Sequence, residues 1–163
     1  QFVKGDVLEV LRRARSPHYD LVICAEVLYL SRQHREILQA LAQAVRPGGL
    51  LCVSHRPKFY YVVEALKQYD VVTAEQVLAS GEGPFRGSAY YNWQTEEELR
   101  AWYAGLGFEW LAIYPIDRLA WLSGTDLAQL TEEARARWMA FELDPSTQDA
   151  LCARYVLVIT KRP

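Results

Sequence analysis

The stretch YDLVICAEVLYLSRQHREILQALAQAVRPGGLLCVS, residues 19–54, decides the fold class. Its first part, residues 19–25, is a short apolar run entered through a polar turn, the pattern of a strand buried on both faces of a parallel sheet. Further along, Ile37, Leu38, Leu41, Ala42 and Val45 recur at helical spacing. Ser31 precedes them as a capping residue, and Pro47-Gly48-Gly49 ends the segment. A second apolar run, LLCVS at 50–54, closes the stretch. Strand, helix, strand in this order is a crossover between parallel strands, so the sequence predicts an α/β fold.

Outward from this unit, Phe59, Val62, Val63 and Leu66 share a helical face. Residues 71–93 lose clear periodicity while collecting Gly81, Gly83, Pro84 and Gly87, and read as a long loop or lid. The segment TEEELRAWYAGLGF, residues 95–108, is a well-marked helix. Thr95 and Glu98 form a capping box, Leu99, Trp102, Tyr103 and Leu106 make the buried stripe, and Gly107 stops it. A strand is expected over 108–114. Leu127, Leu130, Ala134, Trp138 and Phe141 line one face of a further helix with Asp126 near its start, and RYVLVIT at 154–160 is a final strand.

Composition narrows the partners. With 51% hydrophobic and 23% charged residues over 163 positions, the chain has material for one domain with a true core. A formal charge of -2 and a pI near 6.0 give no global attraction to nucleic acid or an anionic bilayer. No stretch approaches the roughly 20 apolar residues of a membrane-spanning helix, so a soluble, cytoplasmic protein is expected. Cys24, Cys52 and Cys152 sit far apart in apolar runs, and His18, His34 and His55 are scattered. Neither set has metal-ligand spacing, and no metal is expected.

The blocks FVKGD, YDLVICAEVLYL, LAQAVRPGGLLCVSHR, WQTEEELRAWYAGLGFEW and YVLVITKRP, taken in succession, resemble the second half of a class I S-adenosylmethionine-dependent methyltransferase. The resemblance covers nearly the whole chain. It implies a partial Rossmann-like sheet, mostly parallel with an antiparallel final strand, and helices on both faces. Strands at 21–25, 50–54, 108–114 and 154–160 should be neighbours. Residues 1–163 would form one incomplete domain from the family's third strand onward, with a lid or insertion at about 57–94 and a helical insertion at about 118–150. The family's first two strands, with the glycine turn and the ribose-binding acid, would lie in a missing N-terminal half, in the same or another chain. The segment around Phe2 would then lack its pairing neighbours. GEGPFRG at 81–87 lacks both the spacing and the strand-to-helix context of a nucleotide loop.

The resemblance also assigns candidate roles. Asp6 would accept from the adenine amino group of S-adenosylmethionine with Val7 beside the ring, while as a turn residue it would equally cap the following helix. Ala25 would present backbone to the cofactor at the carboxyl end of its strand, where ligands collect in open α/β sheets. Glu26 is a candidate to orient the acceptor or take its proton; the other reading is a solvated or capping carboxylate. His55 is a candidate general base because its ordinary pKa lies near neutrality, or else a histidine satisfied locally. Tyr60, Tyr61, Tyr90, Tyr91 and Trp93 form an aromatic cluster in the lid region that would enclose a flat acceptor or the sulfonium cation, or be core under the lid, and Tyr29 is a further substrate-binding candidate. Some quinone-precursor O-methyltransferases follow a similar C-x-E-V-L run with an acid and a histidine. Tyr29 and Leu30 stand here instead, so neither an acid nor a metal role carries over from that subgroup.

The expected activity is methyl transfer from S-adenosylmethionine to a small-molecule acceptor, resting mainly on alignment in a water-poor pocket. The alternative is a non-catalytic, accessory chain of the same fold that binds a partner. A nicotinamide-dependent oxidoreductase is a third, weaker reading, since no dinucleotide fingerprint is present.

Overall fold

In the computed structural model, which describes residues 3–13, 19–87, 89–144 and 152–163, the apolar run at 19–25 forms β1, Tyr19–Cys24. The helix α2, His34–Ala44, carries the chain back to β2, Val45–His55, which pairs parallel with β1. Ile37, Leu38, Leu41 and Ala42 of α2 are buried against Leu51 and Val53 of β2, as their spacing requires. A 3-10 turn at Leu28–Leu30 delays the start of α2, so Ser31 caps the approach: its Oγ accepts from the Gln33 amide at 3.1 Å. Val45 ends up in the ladder rather than the helix. It pairs with Tyr19, and the Arg46-Pro47-Gly48-Gly49 segment bulges out before pairing resumes at Leu21 and Leu50. A Cβ on Gly49 would lie 2.8 Å from Val45 Cγ1 and 3.0 Å from the Asp20 carbonyl oxygen, so this bulge needs glycine.

The sheet is completed by β5, Glu109–Ile116, and β6, Tyr155–Lys161, in the order β1-β2-β6-β5. β6 runs antiparallel to both β2 and β5, so β1, β2 and β5 share one direction and the final strand is reversed, as expected. Leu51, Val53, Val156 and Val158 face a core completed by Leu8 of α1 (Val7–Arg13), by α2, and by Leu99 and Tyr103 of α5 (Glu96–Gly105). Thr95 and Glu98 form the expected capping box at the start of α5, and Gly107, at φ 78°, follows its end. The opposite alternation is open on β1: Leu21 is 48% and Ile23 63% exposed, and the outer edge of this strand has no pairing partner among the described residues.

Between β2 and α5 the chain leaves at Pro57 and returns at Gln94, which form a parallel bridge, with Lys58 donating to the Gln94 carbonyl at 3.0 Å. The intervening segment is no loop. It holds α3 (Lys58–Leu66), α4 (Val71–Ala79) and a hairpin of β3 (Glu82–Pro84) and β4 (Tyr90–Asn92) around a small core that includes Tyr60, Tyr61, Val77, Phe85 and Trp93. α4 buries only Ala74 and Val77, which explains its weak periodicity; Asp70 caps it by accepting from Thr73 at 2.9 Å.

After β5 come α6 (Leu119–Ser123), a 3-10 turn at Leu127–Gln129 and α7 (Glu132–Leu143). Leu127 and Leu130 do not join Trp138 and Phe141 on one helix, because Asp126 caps the 3-10 turn and Thr131 starts α7 afresh by accepting from Ala134 at 3.2 Å. None of the residues of α7 is buried, and Phe141 is 60% exposed. The far end of the expected insertion, residues 145–150, and the segment around Phe2 lie outside the described residues.

Candidate functional site

The carboxyl ends of β1 and β2 and the amino end of β6 come together at one edge of the sheet. Glu26, just past β1, adopts φ 60°. That left-handed conformation costs a non-glycine residue roughly 1–2 kcal/mol and persists only when its surroundings hold it. Ser54, buried on β2, does so twice: its Oγ accepts from the Glu26 amide at 2.7 Å and donates to Glu26 Oε1 at 3.0 Å. Oε2 accepts from the Tyr29 hydroxyl at 3.2 Å. Both carboxylate oxygens are anchored while the residue as a whole stays exposed. Burial pushes the Tyr29 phenol up to about 12, against the pull of the nearby Arg56 charge, so it is a donor at neutral pH.

Arg56, one residue beyond β2, lies among three tyrosines. Its guanidinium carbon is 4.4 Å from the ring centre of Tyr29, 4.6 Å from that of Tyr155 and 4.7 Å from that of Tyr60. Nη2 donates to the Tyr155 hydroxyl and Nη1 to the Tyr60 hydroxyl at 3.4 Å. Glu26, Tyr29, Arg56, Tyr60 and Tyr155 thus form one continuous polar and aromatic group. The insertion sits against it, since Asn92 Nδ2 donates to the Leu28 carbonyl at 2.8 Å.

The other expected site residues fall elsewhere. His55 lies on the helix-covered face of β2, 2% exposed, with Nε2 2.9 Å from the Tyr103 hydroxyl and its ring edge-on to Tyr103. Burial, helped by His34, pushes its pKa down to about 3, so the imidazole is neutral at ordinary pH. Trp93 is 1% exposed within the core of the insertion, its indole donating to the carbonyls of Val77 at 3.1 Å and Ser80 at 2.8 Å; Tyr91 packs against the same cluster. Tyr90 turns the other way, its hydroxyl donating to Glu82 and lying 3.3 Å from His34 Nδ1. Asp6 caps α1, its Oδ1 accepting from Leu8 at 2.9 Å and Glu9 at 3.1 Å. Val7 is half-buried beside it, and Ala25 is exposed at the end of β1. Of the aromatics expected around an acceptor, only Tyr29 and Tyr60 meet at the Arg56 group. Ser54 and Tyr155 escaped the sequence reading. No group of three or more metal-ligating side chains occurs among the described residues.

This sheet order, with its reversed last strand, is the fold of S-adenosylmethionine-dependent methyltransferases. The chain aligns over 98% of its length with such an enzyme from Archaeoglobus fulgidus, at 14% identity and a TM-score of 0.56, covering 66% of that protein. It aligns over 100% with magnesium protoporphyrin IX methyltransferase from Synechocystis, solved with bound S-adenosylhomocysteine, at 16% identity and a TM-score of 0.54, covering 51% of it. A third likeness is to Burkholderia thailandensis 1,6-didemethyltoxoflavin-N1-methyltransferase with its substrate and S-adenosylhomocysteine: 99% of this chain, 50% of that one, 13% identity and a TM-score of 0.55. The chain therefore spans about half to two thirds of the length of these structures. No protein-family profile and no curated protein matches it. At these identities the likeness is one of fold.

Proposed function

We propose that this chain forms the acceptor side and the adenine side of a methyltransferase that uses S-adenosylmethionine and acts on a small molecule. The observation that carries the reading is the sheet order β1-β2-β6-β5 with β6 antiparallel, which sets the fold apart from an all-parallel dehydrogenase sheet. The residues suit the cofactor's adenine end. Asp6 spends only Oδ1 on capping α1, which leaves Oδ2 to accept from an amino group, with Val7 and Ala25 as neighbours. When bound, S-adenosylmethionine supplies a methyl group on a sulfonium that an acceptor nucleophile can take.

Glu26 holds or receives the acceptor's proton, because its carboxylate is fixed from behind by Ser54 and Tyr29 and exposed at the sheet edge. Tyr29 and Tyr60 flank the acceptor. His55 has no proton role in this reading, since its ring is buried, neutral and occupied with Tyr103. The open edge of β1, with Leu21 and Ile23 exposed, supports pairing with further polypeptide, in the same or another chain, that completes the cofactor site. The same edge favours the second reading, an accessory chain docked on a partner.

The test is label transfer. The complete protein is incubated with S-adenosylmethionine carrying an isotopic methyl group and a protein-free metabolite extract. A labelled small molecule is expected, and Glu26→Gln should slow its formation by about a hundredfold or more, on the order of what a positioned general base contributes. Absence of label transfer by the complete protein rejects catalysis and leaves the accessory reading.

A further inference from the structure

Among the described residues the guanidinium of Arg56 has no counter-ion. No Asp or Glu carboxylate among them lies within ion-pair distance of it, although Arg46, Arg86, Arg100 and Arg154 all have one. Glu26, the acid joined to the same group, is held by Ser54 and Tyr29 and forms no ion pair with it. A guanidinium carries five N–H donors, and two of these serve Tyr60 and Tyr155. Nε is buried with no partner among the described residues, and so is the hydroxyl of fully buried Tyr61, on which the Arg56 charge acts. A half-buried cation with unused donors is costly unless something pairs with it. The three phenol rings hold the guanidinium through their faces but neutralise none of its charge.

We propose that Arg56 is an anion-recognition residue and that the small molecule accepted at this edge carries a carboxylate which pairs with it. The planar fork of arginine matches a carboxylate in two parallel hydrogen bonds, and the caging rings pre-orient that fork. Tyr29 touches both groups, its hydroxyl donating to Glu26 and its ring carrying the Arg56 guanidinium, so the proposed molecule directs its nucleophile toward Glu26 and its carboxylate toward Arg56. This inference rests on the acceptor pocket proposed above, but its test needs neither cofactor nor turnover.

The probes are benzoate and benzamide, isosteric except for charge, titrated into the protein at neutral pH and followed by NMR of the tyrosine side chains. Benzoate should bind about tenfold or more tightly than benzamide, the difference a charge-assisted pair supplies, with shifts at Tyr29, Tyr60 and Tyr155. Arg56→Gln should erase the preference and Arg56→Lys keep part of it. Equal binding of the two probes, no benzoate binding, or a preference that survives in Arg56→Gln would overturn the proposal. No benzoate binding would point instead to a protein carboxylate already paired with Arg56. The wild-type comparison of the two probes decides the matter even if Arg56→Gln fails to fold. A protein that binds benzoate through Arg56 yet transfers no methyl group would keep this inference and reject the catalytic reading.

Discussion

Replacing Ser54 with alanine tests whether the strained turn at Glu26 is held as described. The substitution removes two hydrogen bonds at once. The Glu26 amide, 2.7 Å from Oγ and part-buried, loses its acceptor, and Glu26 Oε1, at 3.0 Å, loses its donor. An unpartnered buried amide costs about 1–3 kcal/mol and a lost side-chain bond about 1 kcal/mol. Relaxation of the left-handed backbone at φ 60° returns roughly 1–2 kcal/mol of strain, so the net loss should be about 1.5 kcal/mol. For a chain of this size that lowers the melting temperature by roughly 3–6 °C. Thermal unfolding followed by circular dichroism reads this directly. In a Glu26→Ala background, where only the amide bond remains to be lost, the cost of Ser54→Ala should shrink by about 1 kcal/mol. A change within about 0.5 kcal/mol for Ser54→Ala, the usual range for a neutral surface site, would refute the clamp.

Two further outcomes concern buried charge. His55 is depressed from 6.5 to about 3 and His34 is also lowered, both mainly by burial, so the unfolded chain binds protons that the folded chain refuses. The stability these groups give is therefore complete above about pH 6.5 and falls as pH drops toward 3, with up to about 1.4 kcal/mol per pH unit from His55 and a contribution of the same sign from His34; His55→Gln should flatten the slope, and a His55 imidazole titrating near 6.5 by NMR would contradict its burial. Glu64, 9% exposed, links α3 to the rest of the insertion and to α6, accepting from Trp121 Nε1 at 2.9 Å, Lys67 at 3.1 Å and Arg86. Burial works to raise this carboxyl, but those donors and charges prevail and hold it below 4.5, so its contribution is present above that pH and lost below it. Glu64→Ala should cost about 1–3 kcal/mol in denaturant unfolding and loosen hydrogen-exchange protection across α3 and α6; unchanged protection would show that the insertion is held by other contacts.

The sheet was legible because its determinants are local. Two apolar runs flank a helix of regular spacing, and the Thr95–Glu98 box marks α5 from four residues alone. Glu26 and Ala25 could be placed because strand ends follow from strand positions. The place of the insertion was legible but the structure of residues 71–93 was not, because α4 and the hairpin are fixed by a tryptophan whose indole reaches carbonyls 13 and 16 residues away. Helical period alone does not report such a contact. His55 could have been read better: Leu51, Val53 and His55 alternate on one face of β2, so a buried Leu51 and Val53 place His55 in the core with them. The same alternation puts Ser54 on the other face with Glu26. The pairing of Arg56 with Tyr155 spans 99 residues and has no sequence signal.

We infer that these residues supply part of a cofactor site which further polypeptide along β1 completes. Calorimetric titration of S-adenosylhomocysteine, the unreactive product, tests it on two samples: the 163-residue chain, and the complete protein or this chain with the partner that pairs with β1. With only Asp6, Val7 and Ala25 available, and each exposed hydrogen bond contributing on the order of 1 kcal/mol, the chain alone should show no saturable binding at micromolar concentration, whereas the completed site should bind. Micromolar binding by the monomeric chain alone, or none by the completed protein, would contradict the account.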